Sequence, residues 1–249
     1  GVKCEDAKRF DADVPVILMN SFATHADTAD HFEENKNFGL EDERVIPFKQ
    51  GINLRVTKDG DLYRNGAGEV SMYAPGHGDL AEYIQRGALQ RFIEGGGKYL
   101  LMSNVDNLLA TLDPAVVGHH IAQSTERNLD MTVEVARRSP NDTGGLVARI
   151  DDNPQVVEYF RFPEEFDDSQ LSVFNTNTFL FNAEALQDDF DLDWFAVNKT
   201  VNGDEVVQFE RLAGQLSKFL DTSFLMVPSE GRESRYHPIK RPEDLEKHR

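Results

Sequence analysis

The chain has 249 residues, of which 44 are acidic and 26 are basic, so its formal net charge is −18. Hydrophobic residues make up 39% of it, including 17 Phe, which supplies a core and argues against wholesale disorder. The acidic balance, without a basic cluster, argues against nucleic acid and anionic membranes as partners. The one cysteine, Cys4, cannot form an internal disulfide, and a reducing, cytoplasmic location is expected.

The longest apolar run, at residues 14–19, is far shorter than a membrane-spanning helix and is interrupted by Pro15. The charged start of the chain lacks the hydrophobic stretch of a signal peptide. Because the first residue is Gly1 and not Met, we expect the sequence to be trimmed at its start.

The first half of the chain has a pattern of alternating strands and helices. It predicts a strand at 14–19, a helix at 24–35, a strand at 45–50, a hairpin of 54–57 and 61–63 around Asp59-Gly60, a helix at 79–94, a strand at 99–102 and a helix at 114–124. The fully apolar strand at 99–102 is typical of a parallel sheet that is buried on both faces.

The second half has a more antiparallel pattern. It predicts strands at 131–136, 146–150, 155–160 and 174–181, a hairpin of 194–197 and 206–209 around Asn202-Gly203, a helix at 211–220 and a strand at 224–227. Together the elements predict one α/β domain over residues 1–249, with a mixed central β-sheet flanked by helices.

Several familiar chemical motifs are absent from the sequence. It contains no Walker loop, no dinucleotide-binding glycine fingerprint and no nucleophile elbow. The adjacent His119 and His120 point to different faces of the predicted helix, so they do not readily share one metal ion.

The first segment that suggests chemistry is a glycine-rich turn at residues 74–79, before the predicted helix. Gly76 and Gly78 allow close approach of backbone N–H groups to a ligand, and the helix start favours an anion. His77 lies between the glycines and could donate to a phosphate. An ordinary glycine-rich turn is the alternative interpretation.

The second segment, Ser103-Asn-Val-Asp-Asn107, follows the apolar strand at 99–102. A carboxylate such as Asp106 at the end of a strand is a usual ligand of Mg²⁺. Asn104 and Asn107 add hydrogen-bonding groups. The alternative is a cluster of Asn and Asp that only caps a loop.

The third segment is Phe174-Asn-Thr-Asn-Thr178. Strand alternation predicts Asn175 and Asn177 on one face and Thr176 on the other. Amide side chains both donate and accept hydrogen bonds, which suits sugar hydroxyls. A solvated strand face is the alternative.

Together these segments resemble the UTP–glucose-1-phosphate uridylyltransferase family, the eukaryotic type of UDP-glucose pyrophosphorylase. The matching stretches occur in family order over nearly the whole chain: 16–22 with Asp27-Thr28, 48–50, 75–79, 103–107 with Ala110-Thr111, Gly144-Gly145, 174–177, 197–200, 208–210 with Gly214, and 234–240 with Asp244-Leu245.

The resemblance implies a Rossmann-like nucleotidyltransferase fold, of the nucleotide-diphospho-sugar transferase type. It implies transfer of uridylyl from UTP to glucose 1-phosphate, giving UDP-glucose and pyrophosphate with Mg²⁺ as cofactor. Joining two polyanions requires mainly positioning and charge neutralisation, and no covalent nucleophile is needed. It makes no prediction of oligomeric state.

The resemblance also assigns a role to individual residues. Met19 and Gln50 are expected at the uracil, with Gln50 reading its polar edge, and Gly76 is expected to approach the base by its backbone. His77 is expected near the phosphates, Asn104 on the glucosyl side, Asp106 at the metal and phosphates, and Lys240 at the phosphates. The residues expected at the hexose are Gly145, Glu158, Asn175 and Asn177, and Pro75 is expected to bind substrate. The expected catalytic residues are Asp106, Lys240 and His77, with Asp106 as the metal ligand.

The chain departs from the family pattern in several places. It lacks the N-terminal glycine-rich loop with its lysine and the C-terminal β-helix domain, and Leu109 stands where the family usually has Gly. The proline common after Asn198 is also missing. Two alternatives therefore stay open, a non-catalytic nucleotide-sugar-binding remnant and an N-acetylhexosamine 1-phosphate uridylyltransferase.

Overall fold

A computed structural model describes residues 2–10, 14–139 and 144–248 of the chain. The helices are α1 (Val2–Lys8), α2 (His25–Glu34), α3 (Leu80–Tyr83), α4 (Ala88–Glu94) and α5 (Pro114–Arg127). The strands are β1 (Val16–Asn20), β2 (Val45–Lys49), β3 (Asn53–Leu54), β4 (Met72–Tyr73), β5 (Tyr99–Ser103), β6 (Met131–Arg137), β7 (Gly145–Ile150), β8 (Asn153–Glu158), β9 (Val173–Asn182), β10 (Phe195–Val201), β11 (Asp204–Glu210) and β12 (Thr222–Met226).

The chain divides into two compact units. The sheet unit comprises residues 1–12, 95–187 and 214–249, and the hairpin unit comprises residues 13–94 and 188–213. Each unit is built from separate stretches of the chain. The organisation of residues 1–249 as one nucleotidyltransferase domain stays a prediction.

The sheet unit contains a six-stranded mixed sheet with the order β12-β6-β9-β7-β8, and β5 pairs with β9. Only the β12–β6 pair is parallel among these pairs. The predicted mixed α/β architecture is confirmed. The prediction of a parallel environment for residues 99–102 is wrong, because β5 runs antiparallel to β9 and its residues are half-buried. An apolar run reports burial, not the direction of the neighbouring strand.

The core of the sheet unit lies along β6 and β9. Met131, Val133, Phe179 and Phe181 are fully buried there. Helix α5 packs on both strands, with a 2.9 Å hydrogen bond between the side chains of its His120 and Thr132. The helix predicted at 114–124 is confirmed and extends to Arg127.

The hairpin unit contains the parallel pair β1–β2, the short pair β3–β4 and the antiparallel hairpin β10–β11. The turn of that hairpin is Asn202-Gly203, where both residues have positive φ, as its sequence predicts. The predicted hairpin at Asp59-Gly60 is reduced to a turn with one bridge, between Val56 and Leu62.

Two predicted helices are wrong. The helix predicted at 79–94 is broken into a 3-10 turn at His77–Asp79 and helices α3 and α4, and Gly87 has a φ of +122° at the break. The helix predicted at 211–220 is a 3-10 helix at Ala213–Lys218. Here the Ser217 hydroxyl donates to Gly214 C=O and accepts from Val156 N–H. Such side-chain bonds compete with regular helix formation.

None of the helices in residues 2–10, 14–139 and 144–248 is long and apolar enough to cross a membrane.

Candidate functional site

In the hairpin unit, the glycine-rich motif packs against the backbone of Arg211. Gly78 N–H donates to Arg211 C=O, and Arg211 N–H donates to Pro75 C=O, both at 2.8 Å. A Cβ added at Gly76 would lie 2.6 Å from the Arg211 carbonyl oxygen, and one at Gly78 would lie 2.5 Å from Arg211 C. Glycine is therefore required at Gly76 and Gly78 because a second backbone segment of the protein approaches them closely. The prediction that Gly78 N–H serves a ligand is wrong.

This packing predicts that Gly78→Ala destabilises the protein. Neither backbone segment can move freely, since they are joined by two hydrogen bonds, and overpacking of this kind costs about 2–3 kcal/mol. Gly66→Ala is the matched control in the same unit, because a Cβ at Gly66 meets no atom within 4 Å. Urea unfolding of the three proteins measures the difference. Equal stability of Gly78→Ala and Gly66→Ala contradicts the prediction.

The helix start after this motif does not form the expected anion site. Helix α3 has four residues, so its dipole is small, and the carboxylate of Asp79 stands directly before it. Asp79 is fully buried and accepts from the Arg211 guanidinium at 2.5 Å and from Gly51 N–H at 2.8 Å. Burial raises the pKa of the Asp79 carboxyl, and these two donors oppose that rise. The segment therefore already contains a paired anion of the protein itself.

The residues predicted to bind uridine do meet in the hairpin unit. The Gln50 amide donates to Gly76 C=O at 3.0 Å, and Gln50 N–H donates to Asn20 C=O at 3.0 Å. Asn20 follows Met19 at the end of β1. Met19, Gln50 and the Pro75-Gly76 turn thus lie on adjoining segments. Contact with uracil stays a prediction for all of them.

His77 is a neutral imidazole in this arrangement. Its Nδ1 lies 3.0 Å from Ala213 N–H, which donates to it, so the proton of the neutral ring belongs on Nε2. Burial lowers the pKa of His77 to about 4. At neutral pH the side chain can donate one hydrogen bond from Nε2 to a phosphate, but it brings no positive charge.

The lowered pKa predicts a pH dependence of stability. The pKa of His77 falls from 6.5 to about 4 on folding. As the pH falls from 6.5 to 4, the unfolded chain therefore binds a proton before the folded chain does, and the protein loses stability. A fall of the pKa from 6.5 to about 4 corresponds to about 3 kcal/mol of stability. His77→Asn keeps an acceptor for Ala213 N–H and removes the titration. We therefore expect the variant to gain on the wild type as the pH falls, in urea unfolding at pH 7 and 4.

The exposed His31 provides the control, since His31→Asn removes a histidine from the surface of α2. We expect the curve of stability against pH for this variant to follow that of the wild type. Parallel curves for wild type and His77→Asn between pH 7 and 4 contradict the assignment.

In the sheet unit, Asp106 lies in the loop directly after β5. Its Oδ1 is buried and has no hydrogen-bond partner among residues 2–10, 14–139 and 144–248. Asn104 C=O, in the same loop, accepts from Asn107 N–H at 3.2 Å. The structure thus presents a single carboxylate oxygen that the protein does not use, as expected for a ligand of a cation.

The segment that contains Lys240 lies beside this loop. Ile239 N–H donates to Asp106 C=O at 2.9 Å, and the buried Asn107 side chain accepts from His237 N–H at 2.9 Å and donates to Arg235 C=O at 3.1 Å. Lys240 itself is exposed, and its N–H donates to Asp244. The structure therefore brings the backbones of Asp106 and Lys240 together, although they are far apart in sequence.

Sequence reasoning missed a buried ion pair that anchors the same segment. The Arg235 guanidinium donates to both carboxylate oxygens of Glu134 at 2.6 and 3.0 Å, and to Thr111 C=O at 3.0 Å. The Glu134 side chain is fully buried and that of Arg235 is 8% exposed. Glu134 is the one charged residue among the six buried positions 131–136 of β6, and this charge was the available signal for a buried partner.

The residues predicted to bind the hexose also lie together in the sheet unit. Gly145 pairs with Glu158 across β7 and β8, and a Cβ at Gly145 would lie 3.1 Å from Glu158 Oε1. A Cβ at Gly214 would lie 2.8 Å from Val156 and 3.5 Å from the Asn175 amide nitrogen. The two glycines therefore allow the β8 side chains to pack closely against Gly145 and Gly214, with Asn175 beside Gly214. Binding of a hexose there stays a prediction.

The prediction that plain strand alternation brings Asn175 and Asn177 to one face is wrong. The register of the β6–β9 pair shifts between two neighbouring residues of β6, because Glu134 pairs with Thr178 and Val135 pairs with Asn175. Within this bulge Asn177 has a φ of +57°. The two amides still meet, because the Asn175 side chain donates to Asn177 Oδ1 at 3.0 Å and accepts from Asn177 N–H at 2.9 Å.

No cluster of three or more His, Cys, Asp or Glu side chains in the described part of the chain could hold a metal ion. A single free carboxylate oxygen, as at Asp106, nevertheless fits Mg²⁺, which usually takes one or two carboxylates and completes its coordination with phosphates and water.

The fold places the chain in a known class. The UDP-glucose phosphorylase from Trypanosoma brucei, a solved structure, is 26% identical and superposes with a TM-score of 0.81, covering 98% of this chain and 57% of that one. The mixed sheet of the sheet unit thus has the fold of the nucleotidyltransferase class.

The sequence comparison then gives the family. A family model described as UTP–glucose-1-phosphate uridylyltransferase matches residues 4–247, and the chain belongs to this family. UTP–glucose-1-phosphate uridylyltransferase 2 of Dictyostelium discoideum is 30% identical, over 96% of this chain and 49% of that protein. The enzyme of Hordeum vulgare is 28% identical, over 96% of this chain and 51% of that protein. The chain thus spans about half the length of these curated relatives.

Proposed function

We propose that the protein transfers uridylyl from UTP to glucose 1-phosphate, giving UDP-glucose and pyrophosphate. The observation that carries the proposal is the pairing of the Asp106 loop with the Lys240 segment through the Ile239–Asp106 hydrogen bond. The backbone carbonyl of Asp106 accepts this bond, so the residue with the unpartnered carboxylate oxygen lies beside a segment that contains a lysine. Family membership supports the same reaction.

In this proposal the chain acts by positioning and by charge. A phosphate oxygen of glucose 1-phosphate attacks the α-phosphorus of UTP, and the bond to pyrophosphate breaks. Lys240 offers a compact positive charge to the phosphates, and His77 offers one N–H donor. Gln50 pairs with the imide edge of uracil, since a carboxamide both donates and accepts. Asn175 and Asn177 hold hexose hydroxyls, with Glu158 beside Gly145.

We propose Mg²⁺ as the cofactor, with Asp106 as its protein ligand. When bound, the ion neutralises phosphate charge and polarises the phosphoryl oxygens. The unpartnered Oδ1 of Asp106 supports this assignment. We place the activity in a reducing compartment such as the cytosol, because the single cysteine cannot form an internal disulfide.

A panel of sugar 1-phosphates tests the function. The chain is incubated with UTP, Mg²⁺ and one sugar 1-phosphate, and UDP-sugar and pyrophosphate are measured; calorimetry measures binding of UDP-glucose. We expect transfer to glucose 1-phosphate to exceed transfer to its N-acetylated analogue. Binding of UDP-glucose without any transfer supports the non-catalytic alternative, and a preference for the N-acetyl sugar overturns the substrate. If the chain neither binds UDP-glucose nor transfers uridylyl to any sugar 1-phosphate, the proposal is overturned.

A further inference from the structure

Helix α1 is fastened to the loop that follows Asp106. The Lys3 ammonium donates to Asn107 C=O at 3.0 Å and also to Ala110 C=O. Three residues further along the helix, Asp6 accepts from Leu112 N–H at 2.5 Å. After another three residues, the Arg9 guanidinium donates to Leu112 C=O. The spacing of three puts Lys3 and Asp6 on neighbouring turns of α1, and Arg9 directly follows the helix.

Helix α1 also has two buried apolar side chains. Cys4 and Ala7 are each 2% exposed, so apolar packing accompanies the polar contacts. Burial lowers the pKa of Lys3 to about 8, with Asp6 opposing this fall. Burial removes water from the Lys3 ammonium where it donates to two backbone carbonyls. The hydrogen bonds to the loop offset the free-energy cost of this desolvation.

The loop that Lys3 holds is also the one that aligns the proposed catalytic groups. Asn107, whose carbonyl accepts from Lys3, uses its side chain to bind Arg235 C=O and His237 N–H. The neighbouring Asp106 carbonyl accepts from Ile239 N–H, one residue before Lys240. A continuous set of hydrogen bonds thus runs from α1 through the loop to the segment of Lys240.

From this geometry we infer that Lys3 is a positioning residue for uridylyl transfer. It cross-links two carbonyls of the loop and so fixes Asp106 and the Lys240 segment relative to each other. This inference rests on the proposed function of Asp106 and Lys240. Lys3 does not touch the substrate in this scheme, and its effect passes through Asn107.

Substitutions at Lys3 test the inference. Lys3→Met keeps the length of the side chain but removes its charge and donors. Lys3→Arg restores both. Lys8→Met is the matched control, since Lys8 lies on the same helix and pairs with Glu5 one turn away. We expect Lys3→Met to lower kcat about 10- to 100-fold, as is usual for residues that orient a metal ligand.

The kinetic parameters separate positioning from general damage. For Lys3→Met we expect a higher Mg²⁺ concentration for half-maximal rate, with KM for UTP unchanged. Lys3→Arg should recover kcat, and Lys8→Met should match the wild type. Wild-type kcat and Mg²⁺ dependence in Lys3→Met overturn the inference, and so does an equal loss in Lys8→Met.

Hydrogen exchange provides a readout that does not depend on activity. In Lys3→Met we expect faster exchange at the amides of Ala110, Leu112, His237 and Ile239, and unchanged exchange in β9. Lys3→Arg should restore the protection. If the wild type shows no transfer, the proposed function fails, and exchange still tests the link from Lys3 to Ile239. Unchanged exchange in Lys3→Met overturns that link.

Discussion

Replacing Asp106 by alanine is expected to lower kcat for uridylyl transfer by about 10²- to 10³-fold, the effect of losing one preorganised electrostatic contact in a transition state. The free energy of unfolding should stay close to that of the wild type. The reason is that Asp106 Oδ1 has no hydrogen-bond partner among the residues described, so truncation removes no bond of this oxygen. Steady-state kinetics against Mg²⁺ concentration and urea unfolding measure the two effects.

Asp130→Ala is the matched control for Asp106→Ala. Asp130 also lies in the sheet unit, but its carboxylate accepts from the Asn182 amide at 3.0 Å. Its loss is therefore expected to cost about 1 kcal/mol of stability and to leave kcat unchanged. The metal assignment is wrong if Asp106→Ala responds to Mg²⁺ as the wild type does.

Glu134→Gln is expected to destabilise the protein by about 3–5 kcal/mol, the usual cost of leaving one buried charge without its partner. The substitution keeps the size of the side chain. It removes the carboxylate that the Arg235 guanidinium contacts through two hydrogen bonds, in a position fully buried from water. Urea unfolding at pH 7 measures the loss.

A double-mutant cycle distinguishes the ion pair from simple packing. Arg235→Met alone should also destabilise, because it leaves Glu134 charged and buried. Combining Arg235→Met with Glu134→Leu should cost less than the sum of Arg235→Met and Glu134→Leu measured singly, since no buried charge remains in the double variant. Strictly additive losses contradict the coupling. A surface pair such as Lys58 with Glu205 serves as the control, with a much weaker expected coupling, because water screens both charges.

Several features of the candidate site could be predicted because they are local. Asp106 follows an apolar strand, and the Gly-His-Gly turn precedes a helical segment, and both patterns are visible in neighbouring residues. Neighbouring residues also predict the turn at Asn202-Gly203, where positive φ at both residues is needed.

The bulge at Asn177 could not be predicted in the same way. Plain alternation along a strand puts the two asparagines on one face. The register of β9 is set instead by its partner β6, in which Glu134 lies 42 positions before Thr176 of β9. A bulge depends on how two strands fit together, so the sequence of one strand does not report it.

The motifs of the sequence indicated the family by their resemblance to it. Apolar periodicity and turn residues predicted the mixed α/β class and most of the strands, because both act over a few neighbouring positions. Only the tertiary structure decided that Glu134 is paired with Arg235, that Lys3 holds the Asp106 loop, and that the backbone of Ile239 lies beside Asp106. Each of these contacts joins residues about 100 or more positions apart. Their partners are selected by packing and by the need to satisfy buried polar groups, and a local sequence pattern contains neither.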